Sequence, residues 1–294
     1  MNIRNVLVPV DFSPPSRLAV DYAVSLARKF RGTLTLMHVV ESPSGLTHPF
    51  KAGTPMLDKA HREQALRMLS ALVASEDQDD LDLRIVTKSG DIKDEIVATI
   101  AEQQTDMMVI GTHGRGFFAR LLIGSITEAM LRRVSIPVLT VCRTMRPLAF
   151  RRILFATDLS DASKSRFPFV LEMAQRMDSE VILVHALDTV SVTYGGAEMA
   201  SYVSEYDTER AKAKLAEFLA EATVRKIKVE SFVVEGVPAE AILKAANQNE
   251  ADLVLITVAH KGIIERALLG TTAERVIREA NVPVLSIPAA AAHK

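Results

Sequence analysis

The chain carries one sequence pattern twice. Val6-Leu-Val-Pro-Val-Asp11-Phe-Ser13 matches Ile153-Leu-Phe-Ala-Thr-Asp158-Leu-Ser160, and Thr35-Leu-Met-His38-Val matches Ile182-Leu-Val-His185-Ala, both at an offset of 147. Further along the offset is 146. Asp106-Met-Met-Val-Ile110 corresponds to Asp252-Leu-Val-Leu-Ile256, Leu122-Ile-Gly124-Ser-Ile-Thr-Glu128 to Leu268-Leu-Gly270-Thr-Thr-Ala-Glu274, and Ile136-Pro-Val-Leu139 to Val282-Pro-Val-Leu285. Copies of this length can each bury a core, so the repeat marks two domains rather than a stack of small units. The expected division is residues 1–146 and 147–294, joined near Arg143 to Phe150. Pro147 and four arginines between positions 143 and 152 read there as a solvated linker.

Within the first copy, apolar runs rich in β-branched residues predict strands over Val6 to Val10, Thr33 to Val40, Leu81 to Thr87, Met107 to Ile110 and Val138 to Cys142. Helical periodicity predicts helices between them, over Ser16 to Lys29, Met56 to Ser75, Asp91 to Gln104 and Ser125 to Arg133. Continuous apolar strands alternating with helices indicate a parallel sheet covered on both faces. The fold class is therefore α/β, with two tandem doubly wound parallel five-stranded sheets. In such sheets ligands bind beyond the carboxyl ends of the strands where strand order reverses, which selects the loops after the first and fourth strands.

The first of these loops is Pro9-Val10-Asp11-Phe12-Ser13, followed by Pro14 and Pro15. It is neither Gly-x-Gly-x-x-Gly nor a phosphate-binding P-loop. Ser13 suits a helix N-cap; Asp11, at the predicted crevice, suits contact with a ligand or a metal. After the fourth strand comes Gly111-Thr-His-Gly114-Arg115-Gly116, then Gly124-Ser125-Ile126-Thr127-Glu128 at a helix start. Gly111 and Gly114 allow a tight turn and close approach of backbone to a ligand. Gly124 and Ser125 offer free amides at a helix N-terminus, a natural anion site. The competing explanation is a capping box from Ser125 to Glu128, with the glycines serving only turns.

Gly111 and Gly114, nine residues, then Gly124-Ser125 is similar to the Gly-2x-Gly-9x-Gly-Ser/Thr pattern of ATP-binding universal stress proteins. The leading strand with its Asp, the His-Val-Val of the second strand and the closing Pro-Val also resemble that family, over nearly the whole chain and twice. The resemblance implies adenine and ribose held by Pro9, Val10, Asp11 and the backbone around Val39, with Ser13 beside them and Gly111 near the ribose. It implies phosphates at His113, Gly114, Arg115, Gly124, Ser125, Ile126 and Thr127. The implied ligand is ATP, with ADP and AMP as alternatives, accompanied by Mg²⁺. It further implies pairing of the two copies through their final strands as an intrachain pseudo-dimer, and a homodimer beyond that.

The second copy departs from this pattern. Thr257 and His260 stand where Gly111 and Gly114 stood, while Gly270, Thr271 and Glu274 persist, so a degenerate nucleotide site is expected there. His38 and His185 read as structural histidines at the ends of equivalent strands. Tyr194, Tyr202 and Tyr206 read as a helix packing an aromatic face, or as a partner surface. The 35 basic and 36 acidic residues balance, so no global field favours nucleic acid or anionic lipid. The single cysteine, Cys142, sits in an apolar run, and no stretch is long and apolar enough for a membrane span, which with the N-terminal residues suggests a cytoplasmic protein. The leading expectation is a nucleotide-responsive regulatory module with an unidentified protein partner. The alternatives are a slow ATP hydrolase, an adenylyl-transferring enzyme, or a ligand-free scaffold; no catalytic residue is assigned.

Overall fold

The computed structural model describes residues 3–41, 55–73, 81–112, 123–141, 150–188, 193–194, 197–198, 205–258 and 270–289. The chain forms two compact units, Met1–Leu148 and Ala149–Lys294.

The first unit runs β1 (Asn5–Pro9), α1 (Pro14–Phe30), β2 (Thr33–Glu41), α2 (Pro55–Ser70), β3 (Asp82–Gly90), α3 (Ile92–Glu102), β4 (Met107–Gly111), α4 (Ser125–Arg133) and β5 (Val138–Val141). Its strands pair in the order β5-β4-β1-β2-β3, every pair parallel. Val6, Leu7 and Val8 of β1 and Met107 to Ile110 of β4 are buried without interruption, as a sheet covered on both faces requires. The cover comes from α1 against β1 and β4, α2 against β2 and β3, and α3 against β3 and α4. Strand order reverses between β1 and β4, so the connections leaving their carboxyl ends part and open a crevice.

Local chemistry fixes where these elements begin. Pro14 and Pro15 open α1, where a missing N–H costs nothing, and Ser13 caps the helix by accepting from the Ser16 amide at 3.4 Å. Asp91 caps α3 by accepting from the amides of Lys93 and Asp94 at 2.9 and 3.1 Å. The amides of Arg4 and Asn5 donate to Asp106 Oδ2 at 2.8 and 2.9 Å, which ties the start of β4 to the start of β1.

The second unit runs β6 (Arg152–Ala156), α5 (Asp161–Lys164), α6 (Phe167–Met177), β7 (Glu180–Leu187), β8 (Thr193–Tyr194), β9 (Ala197–Glu198), α7 (Glu205–Val224), β10 (Val229–Glu235), α8 (Pro238–Gln248), β11 (Leu253–Val258), α9 (Thr271–Glu279) and β12 (Val284–Pro288). The main strands order as β10-β7-β6-β11-β12, again all parallel, and β8 with β9 forms a small antiparallel ribbon. Asp252 repeats the tie of Asp106, accepting from the amides of Arg151 and Arg152 at 2.8 and 3.0 Å.

One helix differs between the units. The counterpart of α1 is broken into α5 and α6, because Pro168 stands where the first unit has Asp21 and cannot donate the hydrogen bond that would carry one helix through. The expected aromatic packing also fails where it can be followed. Tyr206 is 74% exposed on α7, Tyr194 lies in β8, and Tyr202, like Cys142, is outside the described residues.

Candidate functional site

The carboxyl ends of β1, β2 and β4, together with α2, α3 and the start of α4, enclose a cleft of about 860 Å³. That volume falls within the roughly 300–1,000 Å³ of small-molecule sites. Pro9, Val10, Asp11, Ser13 and Val39 line it on one side, and Gly111, Gly124, Ser125, Ile126 and Thr127 on the other. His113, Gly114 and Arg115 lie outside the described residues. Sequence reasoning missed much of the wall, including Phe12, Met37, Gln64, Met68, Ile92 and Ile96. Helical periodicity identifies α2 and α3 but does not say which of their residues look into a crevice.

At the β1 corner, Asp11 is committed to the turn. Its Oδ1 accepts from the Ser13 amide at 3.0 Å and from the Ser13 hydroxyl at 2.6 Å. The residue between them, Phe12, is held at φ 64°, a left-handed conformation that costs a bulky side chain on the order of 1–3 kcal/mol. The Phe12 ring lies 4.8 Å from the ring of His38. His38 Nδ1 is 2.7 Å from the Val10 carbonyl, which can only accept; Nδ1 therefore carries a proton and Nε2 is the atom left for other chemistry. His38 sits inside β2 rather than at its end. The second unit repeats the corner: Leu159 has φ 60°, Asp158 Oδ1 accepts from the Ser160 amide and hydroxyl at 3.0 and 2.6 Å, and His185 Nδ1 donates to the Thr157 carbonyl at 2.9 Å. Found twice, the corner belongs to the fold.

The β4 corner differs from expectation at Gly111 and at Ser125. Gly111 was expected to clear space for a ligand, yet a Cβ built on it would stand 2.8 Å from Pro15 Cβ and 2.9 Å from the Pro15 carbonyl carbon. The close approach of α1 is thus sufficient reason for glycine. The capping box does not form: Gly124 is the N-cap of α4, without a side-chain bond, and Ser125 is the first helical residue. Glu128, which would have to reach back to the cap, instead accepts from Arg132 Nη2 at 2.9 Å, one turn down the helix. The amides of Ser125, Ile126 and Thr127 precede the first intrahelical bond, from the Glu128 amide to the Gly124 carbonyl at 2.9 Å, and so have no partner within the helix. The hydroxyl of Thr127, a buried residue, donates to the Gly111 carbonyl at 2.8 Å and holds α4 against the end of β4.

In the second unit the corresponding cleft is about 230 Å³. Asp158, Leu159, His185, Leu187 and Asp188 border it from the strands, and Asp207, Arg210, Ala211 and Lys214 from α7. Thr257, Gly270 and Thr271, the counterparts of the phosphate-side residues, do not border it. The offset of 146 pairs His61, Gln64, Ala65 and Met68 of α2 with Asp207, Arg210, Ala211 and Lys214. Burial supports this register, because Ala65 and Leu69 are buried, as are Ala211 and Leu215. The signal was thus present in the repeat, in helices whose exposed residues have little in common.

These features define a duplicated, doubly wound α/β protein with a cleft at the switch point of the first unit and a smaller one at the ends of β6 and β7 in the second. The universal stress protein family model matches residues 2–141 and again residues 149–288. A universal stress protein from Methanocaldococcus jannaschii is 33% identical over 140 residues, 47% of this chain and 82% of the relative. One from Mycolicibacterium smegmatis is 28% identical over 293 residues, 96% of each chain. The crystal structure of a universal stress protein from Archaeoglobus fulgidus DSM 4304 aligns with a TM-score of 0.77 at 20% identity, over 98% of this chain and 99% of that one. The chain belongs to the universal stress protein family, as a tandem member. Among the described residues no helix is long and apolar enough to cross a membrane.

Proposed function

We propose that the first unit is an adenine-nucleotide receptor, with ATP as its ligand, and that the protein responds to nucleotide rather than turning it over. The observation that carries the reading is continuity: one cleft joins an apolar end at Val10, Met37, Val39 and Met68 to the amides at the start of α4 that have no partner within the helix. An adenine nucleotide has that order of chemistry, with a flat apolar base, a polar ribose and an anionic tail. The base and ribose fit against Pro9, Val10, Asp11 and Val39, and the phosphates against Gly124, Ser125, Ile126 and Thr127, where the helix dipole favours negative charge. His113, Gly114 and Arg115 belong to the phosphate end on the spacing of the motif alone.

Mg²⁺ would arrive with the triphosphate, held chiefly by phosphate oxygens and water, since among the described residues there is no group of three metal-ligating side chains. The test is calorimetric titration of the full chain with ATP, ADP and AMP, with and without Mg²⁺, alongside a turnover assay on the same sample. Saturable ATP binding without turnover is the expected result, and Gly114→Val should abolish it by filling space the phosphates need. Turnover at a rate above background would move the protein to the hydrolase class. Absence of binding to all three nucleotides would leave the scaffold reading.

A further inference from the structure

The second unit keeps the β1-type corner but surrounds it with different groups. Arg210 and Lys214 stand one helical turn apart on α7 and both border the small cleft. Neither makes a hydrogen bond or an ion pair among the described residues, whereas Lys212 pairs with Glu209, Lys164 with Glu217 and Lys228 with Glu180 on the same unit. In the first unit the same two positions hold the uncharged Gln64 and Met68. From the strands, Asp158 and Asp188 reach the cleft with His185, whose Nδ1 is spent on the Thr157 carbonyl.

Arginine and lysine only donate hydrogen bonds, and ionised carboxylates only accept them. A molecule that satisfies both sides must present an anionic, acceptor-rich group to α7 and donors to Asp158, Asp188 and His185 Nε2. A bare polyanion is a poor match, because the carboxylates of Asp158 and Asp188 border the cleft opposite the two cations. Size points the same way: about 230 Å³ is below the roughly 300 Å³ at which sites for drug-sized ligands begin. We propose that the second unit binds a small hydroxylated anion of the sugar-phosphate class, with its phosphate at Arg210 and Lys214 and its hydroxyls at Asp158, Asp188 and His185. The reading is independent of what occupies the first unit.

The experiment titrates the full chain with glucose 6-phosphate, and separately with its two halves, inorganic phosphate and glucose, each with and without saturating AMP. Glucose 6-phosphate should bind once per chain, indifferent to AMP, and each half should bind weaker by about tenfold or more, the worth of one hydrogen bond to a charged group. Arg210→Ala/Lys214→Ala should lose at least that factor while its thermal midpoint stays with the parent, both side chains being exposed and without a hydrogen bond or ion pair among the described residues. Asp188→Asn should narrow the gap between glucose 6-phosphate and phosphate, and Lys212→Ala, already paired with Glu209, should change nothing. The proposal falls if glucose 6-phosphate does not bind, if AMP displaces it, if phosphate alone binds as tightly, or if the double variant binds like the parent.

Discussion

At the end of β1 and at the end of β6 the chain makes the same turn, with Asp11 and Asp158 holding Ser13 and Ser160, and with Phe12 and Leu159 forced into left-handed backbone. Around that shared corner the units diverge. The first opens a cleft of about 860 Å³ that runs from α2 to the start of α4; the second has about 230 Å³, bordered by α7 and the ends of β6 and β7. The positions that were kept are those that hold backbone: the Asp-Ser turn, the histidine on the preceding carbonyl, and the buried alanine and leucine of the second long helix. Positions that changed include two that face the cleft in both units, Gln64 to Arg210 and Met68 to Lys214. The two copies share the scaffold and differ in the residues that line each cleft.

That contrast breaks most easily on stoichiometry. The full chain should bind a single Mg-ATP at concentrations where a symmetric tandem would bind two, because the second cleft is about 230 Å³ against about 860 Å³ in the first and lacks the glycines at positions 257 and 260. Calorimetry reporting two equivalent sites would end the distinction, and Thr257→Gly/His260→Gly gaining a second site would locate its cause.

Next in size is Gly111→Ala. The added Cβ meets Pro15 at 2.8 Å, so α1 or β4 must shift, with an expected loss of about 1–3 kcal/mol of stability in chemical denaturation together with weaker nucleotide binding. A variant as stable as the parent would show that the corner is softer than its packing implies.

Met68→Lys places the second unit's residue in the first unit's cleft. It exchanges an apolar contact for an ammonium group that must give up water, and should weaken ATP binding about tenfold at physiological salt. Unchanged affinity would remove α2 from the nucleotide wall.

The smallest effect expected is the stability change in Ser125→Ala. Since Ser125 is the first helical residue rather than the cap, thermal unfolding should report within about 0.5 kcal/mol of the parent, against the ~1 kcal/mol that loss of a cap would bring. A full cap-sized loss would restore the capping box.

The strands, the helices and the duplication were legible because their signals are local: apolar runs of strand length, helical spacing, and fixed offsets between identical motifs. Most proposed site residues were legible for a different reason, since the switch-point rule needs only the order of elements to select the loops after β1 and β4. Pro168 marks the break between α5 and α6 locally, since proline cannot donate the hydrogen bond that would carry one helix through. The inward packing expected of Tyr206 failed because periodicity names a helix face without saying that anything covers it.

By itself the amino-acid sequence determined the two α/β domains, the parallel sheets and the loops where a ligand site belongs, all of which follow from backbone propensity and apolar periodicity along the chain. Tertiary structure decided what individual residues are for. Gly111 is opposite Pro15, Ser125 lies inside its helix rather than capping it, and Arg210 and Lys214 border a cleft formed by strands more than twenty residues away. Each of these is a distance between atoms remote in the chain, fixed by how helices settle on a twisted sheet, and no local pattern of residues encodes it.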